Sequence, residues 1–201
     1  AADFMGVEGL TFGVSAGLGD DATASTATIN TDSGFSVGAT YVTTAGDSTV
    51  TIGGGMVTSE GNSTNQSNAN SDSVALSASV VTGDLTVGAG FSTGEGLAQE
   101  GSVSINEIDD VEVINVGASY VSGDMTFTVS YKDGSVKSAE LGTAAGTSTD
   151  SQEVVGASVD YAVASGVTAT IGYENRDDTL NGAAVPSDSG GSIYLGAKIS
   201  F

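Results

Sequence analysis

Ser192-Ile193-Tyr194-Leu195-Gly196-Ala197-Lys198-Ile199-Ser200-Phe201 is the stretch whose reading decides the fold. Taken with a period of two, Ile193, Leu195, Ala197, Ile199 and Phe201 fall on one face, and Ser192, Tyr194, Gly196, Lys198 and Ser200 on the other. One face is wholly apolar and ends in an aromatic ring. Such a strand suits an apolar face in lipid and a polar face in water.

The same division runs through the chain. Leu10, Phe12, Val14, Ala16 and Leu18 alternate with Thr11, Gly13, Ser15 and Gly17. Further strands carry Phe35 to Tyr41, Val50 to Met56, Val74 to Val80 and Leu85 to Phe91. After them come Ile114 to Tyr120, Met125 to Tyr131, Val155 to Val163 and Val167 to Tyr173. With the terminal segment, about ten strands are expected. Short turns at Ala45-Gly46-Asp47, Thr82-Gly83-Asp84, Ser122-Gly123-Asp124 and Ser165-Gly166 alternate with polar loops. Those loops are expected over Gly19 to Ser33, from about Met56 to Asp72, after Ser92 to about Asp110, after Lys132 to Gln152, and through Pro186. Gly38, Gly117, Gly156 and Gly196 recur at 39 or 40 positions or twice that, so a hairpin of about forty residues is an internal repeat. Tyr41, Tyr120 and Tyr161 lie toward the short turns, and Phe91, Tyr131 and Tyr173 toward the opposite end, as two sparse aromatic girdles.

Composition narrows the function. Thirty Gly with one Pro, and Val, Thr and Ser in alternation, point to an all-β chain. No run of eighteen apolar residues exists, which excludes a helical membrane span but not a barrel, whose strands carry only about ten alternating residues each. A net charge of −21 argues against nucleic acid as a partner, because phosphate binding needs clustered Lys and Arg. The absence of Cys fits an extracytoplasmic protein. A soluble β-sandwich also alternates, but its polar face would carry long charged side chains. Here that face is mostly Gly, Ser, Thr and Ala, which leaves space for water.

Tyr194-x-Gly196-x-x-Ile199-x-Phe201 resembles the C-terminal assembly signature of bacterial outer-membrane β-barrels, and the whole chain resembles the C-terminal part of a general-diffusion porin of the alphaproteobacterial type. The resemblance implies an antiparallel transmembrane β-barrel in the bacterial outer membrane. It implies partners of three kinds: outer-membrane lipid and lipopolysaccharide, the barrel assembly machinery that reads the signature, and two further copies in a homotrimer. It also implies a water-filled channel for passive diffusion of small hydrophilic solutes and ions. Porins of this family have sixteen strands, so residues 1–201 read either as a single closed barrel domain or, preferred here, as the C-terminal portion of a larger barrel. Phe4 precedes Gly6-Val7-Glu8-Gly9 much as Tyr120 precedes Ser122-Gly123, so Ala1 to Met5 reads as the tail of an earlier strand. The competing class is a non-conducting structural or adhesive surface barrel whose acidic loops bind partners or Ca²⁺.

The expected pore-lining residues are Lys132, Asp160, Glu174, Lys198, Thr86 and Ser130. Asp160 and Glu174 offset Lys132 and Lys198, so the acidic loops, opposed mainly by Lys137 and Arg176, are expected to make the pore weakly cation-selective. Asp20-Asp21, the Glu107, Asp109, Asp110 group and Asp177-Asp178 offer oxygen ligands for weak Ca²⁺ binding, although none has EF-hand spacing and solvated acidic loops explain them as well. No other cofactor is required. The two Asp-Ser-Gly tripeptides, at Asp32 and Asp188, lack the preceding apolar strand of an aspartic protease, and no His is present to serve as a base, so an enzyme is not expected.

Overall fold

Alternation along the chain becomes ten strands in one sheet. In the computed structural model, which describes residues 6–18, 29–63, 70–100, 104–140, 147–179 and 188–199, these are β1 (Leu10–Leu18), β2 (Ile29–Ala45), β3 (Ser48–Ser63), β4 (Ser71–Thr82), β5 (Leu85–Glu100), β6 (Ser104–Ser122), β7 (Met125–Glu140), β8 (Thr147–Ala164), β9 (Val167–Thr179) and β10 (Asp188–Ile199). Every strand pairs with its sequence neighbours in the order β1 to β10, and all nine ladders are antiparallel. Among the described residues no ladder joins β1 to β10.

Because side chains alternate, a one-residue slip in any ladder would turn a strand over. Through the middle of the sheet no such slip occurs. Val14 stands opposite Val37, Val37 opposite Met56 and Met56 opposite Val74. The apolar face continues through Ala89–Val116, Val116–Tyr131, Tyr131–Val155, Val159–Ile171 and Ile171–Leu195. On the other face Gly13 meets Gly38, Gly38 meets Gly55, Gly88 meets Gly117, and Ser130 meets both Gly117 and Gly156.

Four two-residue turns connect the hairpins at one end of the sheet. Gly46, Gly83, Gly123 and Gly166 take φ of +62°, +56°, +59° and +76° there. The right-handed twist of paired strands selects turns with positive φ, and Gly adopts that region without a Cβ clash. At the fourth turn the register shifts between Ala162 and Ala164, so Val163 is a bulge residue and Ala164 stands opposite Val167. The strict alternation expected for Val163 therefore stops one residue early, because the bulge inserts an unpaired residue before the turn.

Among the described residues nothing covers the apolar face. Among the described residues no large side chain is fully buried, while Leu195 is 79% exposed, Ile193 74%, Val14 61% and Val129 56%. A soluble sandwich would bury these positions against a second sheet. An uncovered apolar face whose backbone groups are bonded strand to strand is the arrangement that hydrocarbon permits.

Much of the sequence expected as loop is strand. The polar stretches after Ser92, Lys132 and Tyr173 continue the ladders, so β5 reaches Glu100, β7 reaches Glu140 and β9 reaches Thr179. Hydrogen bonding by the backbone does not depend on the side chains being apolar, and beyond the apolar belt both faces meet water. Ala1 to Met5, Asp20, Asp21 and Phe201 lie outside the described residues.

Substituting Arg for Val129 or Ile171, both on the apolar face, is expected to cost about 2 to 4 kcal/mol of folding free energy in bilayers, whereas Ser130→Arg on the opposite face is tolerated. Urea titration of vesicle-folded protein measures all three. Equal costs would refute the division of the faces.

Candidate functional site

The polar face is built from residues that alternate with the apolar belt, and its chemistry concentrates on β6 to β10. Rows of directly opposed residues run across these strands at successive heights from the tight turns. Nearest the turns, Lys198 stands opposite Thr168. Next, Asp160 lies between Thr126 and Thr170, and accepts a short hydrogen bond from the Thr170 hydroxyl. A third row joins Thr128, Ser158, Gly172 and Tyr194. Above it come Ser130, Gly156, Glu174 and Ser192. The fifth row is Lys132, Val154, Arg176 and Gly190, and the sixth Gly134, Gln152, Asp178 and Asp188.

All six residues expected to line a pore therefore lie on one face, Thr86 joining it opposite Val81 and Ser119. Arg176 and Lys137, expected in loops, belong to β9 and β7. Arg176 shares the polar face with Lys132, two strands away in the same row. Its Nε donates to both carboxylate oxygens of Asp178, at 2.8 and 2.6 Å. Gln152 donates a further hydrogen bond to Asp178 at 3.2 Å. Sequence reading missed Arg176, Asp178, Gln152, Asp150 and Asp188 as members of this face. The signal was present: extending the period of two beyond Tyr173 puts Glu174, Arg176 and Asp178 together.

Of the carboxylates expected around Ca²⁺, those within the described residues lie on β6 and β9. Asp177 and Asp178 are consecutive on β9, so they take opposite faces: Asp177 stands opposite Glu153, and Asp178 opposite Gln152. Glu107 and Asp110 are paired within β6, while Asp109 sits at a register shift between Ile108 and Asp110. Among the described residues no three acidic side chains converge as a metal site. On the apolar face Asp133, Glu153 and Asp177 stand in one row just beyond Tyr131 and Tyr173, and Tyr131 donates to Glu153 at 3.3 Å. That row marks where the apolar belt ends.

Three residues of the C-terminal signature have defined places. Gly196 opposes Thr170 on the polar face, and Ile199 opposes Val167 on the apolar one. Tyr194 opposes Gly172 and lies over it: a Cβ added at Gly172 would fall inside the Tyr194 ring. Gly172 is buried for this reason, although it faces the polar side.

The family model described as Gram-negative porin matches residues 3–181. The chain belongs to the Gram-negative porin family. Its place is the bacterial outer membrane. Among curated proteins none matches the sequence. Among solved structures it is similar to in-vitro folded OmpT, an outer membrane protein of Vibrio cholerae, at 16% identity and a TM-score of 0.50, over 89% of this chain and 62% of that one. A trimer form of OmpT from Vibrio cholerae is similar at 17% identity and a TM-score of 0.47, over 88% and 63%. The NanC porin is similar at 16% identity and a TM-score of 0.43, over 96% and 99%. The chain thus spans about three fifths of the length of the OmpT structures. The family match ends before β10, whose place in the sheet comes from its ladder with β9.

Gly172→Val is expected to displace the Tyr194 ring and to lower stability by about 1 to 3 kcal/mol, the usual cost of overpacking. Adding Tyr194→Ala should restore most of that loss in a double-mutant cycle read by urea titration in vesicles. Additive losses would show that the two residues do not act through contact.

Proposed function

We propose that the protein forms part of a water-filled pore for passive diffusion of small hydrophilic solutes and ions. One observation carries this reading: a sheet whose apolar face is uncovered turns to the other side a face of Gly, Ser and Thr, with space above it rather than packed side chains. Facing lipid on one side and water on the other, such a sheet encloses a lumen once its edges are met. Among the described residues the outer edges of β1 and β10 are unpaired; each requires a neighbouring strand at membrane depth, and we read them as meeting further strands of a sixteen-stranded barrel. We read the chain as part of a homotrimer, a trimer form being named for one OmpT structure, with lipopolysaccharide around the apolar belt. The protein does no chemistry in this role. It selects by lumen width and charge.

The polar face favours cations. Asp150, Asp160, Glu174, Asp178 and Asp188 lie on it against Lys132, Arg176 and Lys198. Among the described residues carboxylates outnumber bases on this face, and a low-dielectric wall focuses the excess negative charge into the channel. In this reading strand residues add to the acidic loops as a source of the preference.

In planar bilayers the intact protein is expected to give stepwise conductance, and its complete absence would remove the pore reading. In a KCl gradient the reversal potential should report a weak cation preference. That preference should fall as salt rises, because exposed charges are screened over about 10 Å at 0.1 M. Anion preference at low salt would overturn the assignment of sign.

A further inference from the structure

We propose that the polar face carries a docking subsite for small organic carboxylates between β7 and β9, centred on Lys132 and Arg176. The inference rests on the pore reading and adds a solute class to it. Among the described residues the polar face holds three bases, and two of them share one row with only Val154 between. Strands two apart place their Cα atoms about 10 Å from each other, so a Lys and an Arg side chain leaning inward can reach one anion between them.

The surroundings of that row suit a carboxylate better than a free metal or an organic cation. Asp178, the nearest acid on β9, is already occupied: it takes both Arg176 Nε contacts and the Gln152 amide, and its side chain is only 19% exposed. Because both contacts use Nε, the Nη nitrogens of Arg176 remain for another acceptor. Among the described residues Lys132 makes no ion pair with a neighbouring carboxylate. Arg176 is thereby held in place by Asp178, and its fork geometry suits a carboxylate. A cavity of about 310 Å³ opens here, lined by Val113, Lys132, Gly134, Gln152, Arg176 and Asp178, and also by Asp150, a second carboxylate that has a partner of its own. Its volume sits at the low end of small-molecule sites, about 300 to 1,000 Å³. Val113 supplies an apolar wall opposite the missing side chain of Gly134, so a short hydrocarbon body fits beside the two donors.

The consequence is a local exception in a lumen whose excess charge is negative. An anionic solute repelled by Asp160, Glu174 and Asp188 meets one place where its carboxylate is bound, and that place lowers the barrier to its passage.

Butyrate is the probe. Added at millimolar concentration to the full-length protein conducting in KCl across a planar bilayer, it should reduce the single-channel current saturably. Lys132→Gln should weaken this block about tenfold, as expected for one charge-assisted hydrogen bond, and Lys132→Arg should retain it. Lys198→Gln, three rows nearer the turns than Glu174 on the same face, should leave it unchanged. Steps in KCl alone confirm that each variant has folded. Wild-type steps without butyrate block, an equal block by uncharged butyramide, or an unchanged block in Lys132→Gln each overturn the subsite. The pore reading survives all three, since it fails only if the wild type gives no steps at all.

Discussion

Hydrocarbon offers no hydrogen bonds, and that constraint governs everything else in this chain. A backbone N–H or C=O left unpaired in the bilayer core costs several kcal/mol, so every residue of the belt has to find its partner on a neighbouring strand. The nine consecutive ladders meet this demand for β2 to β9 and for one edge each of β1 and β10, without help from side chains. Side chains are then free to serve the two solvents. Val, Ile, Leu and Phe cover one face, and on the other Gly, Ser and Thr keep the wall low. The described residues have no core in the usual sense, because lipid takes the place of a second layer.

This explains why so much of the fold was legible in the sequence. Where lipid lies on one side and water on the other, residues such as Val129 and Ser130 cannot exchange places, so the period of two is written into the composition of each strand. The tight turns were legible for a separate reason: Gly46, Gly83 and Gly123 occupy conformations that other residues adopt at a cost. Beyond Tyr131 and Tyr173 that legibility ends. Both faces there meet water, so Asp133 and Gly134 carry no instruction about direction, and polar strand looks like loop. Arg176 and Asp178 were hidden by this, although the ladder with β8 places them as firmly as any valine. Val163 shows the opposite failure, since nothing in an alternating run announces a bulge.

The terminal segment and the family match make complementary arguments. The Tyr194 to Phe201 pattern is a property of one short stretch of sequence, while the family model covers residues 3–181 and stops short of it. Agreement between them therefore comes from different residues. Within the terminal strand the physical role of Tyr194 is local: its ring covers Gly172 and substitutes for the side chain that glycine lacks. Removing a Cβ on one strand makes room for a ring on the next.

Because each strand pairs with the one before it, the sheet is a succession of short-range contacts. Loop-closure entropy is low for every such contact, so hairpins can be added one at a time without waiting for distant segments to meet. In any closed barrel, only the pairing that joins the first and last strands brings together segments far apart in sequence. The same property makes bore a countable quantity. Barrel diameter grows with strand number, so duplication or loss of one forty-residue hairpin would change the width of the passage by a fixed step while leaving every other ladder as it was.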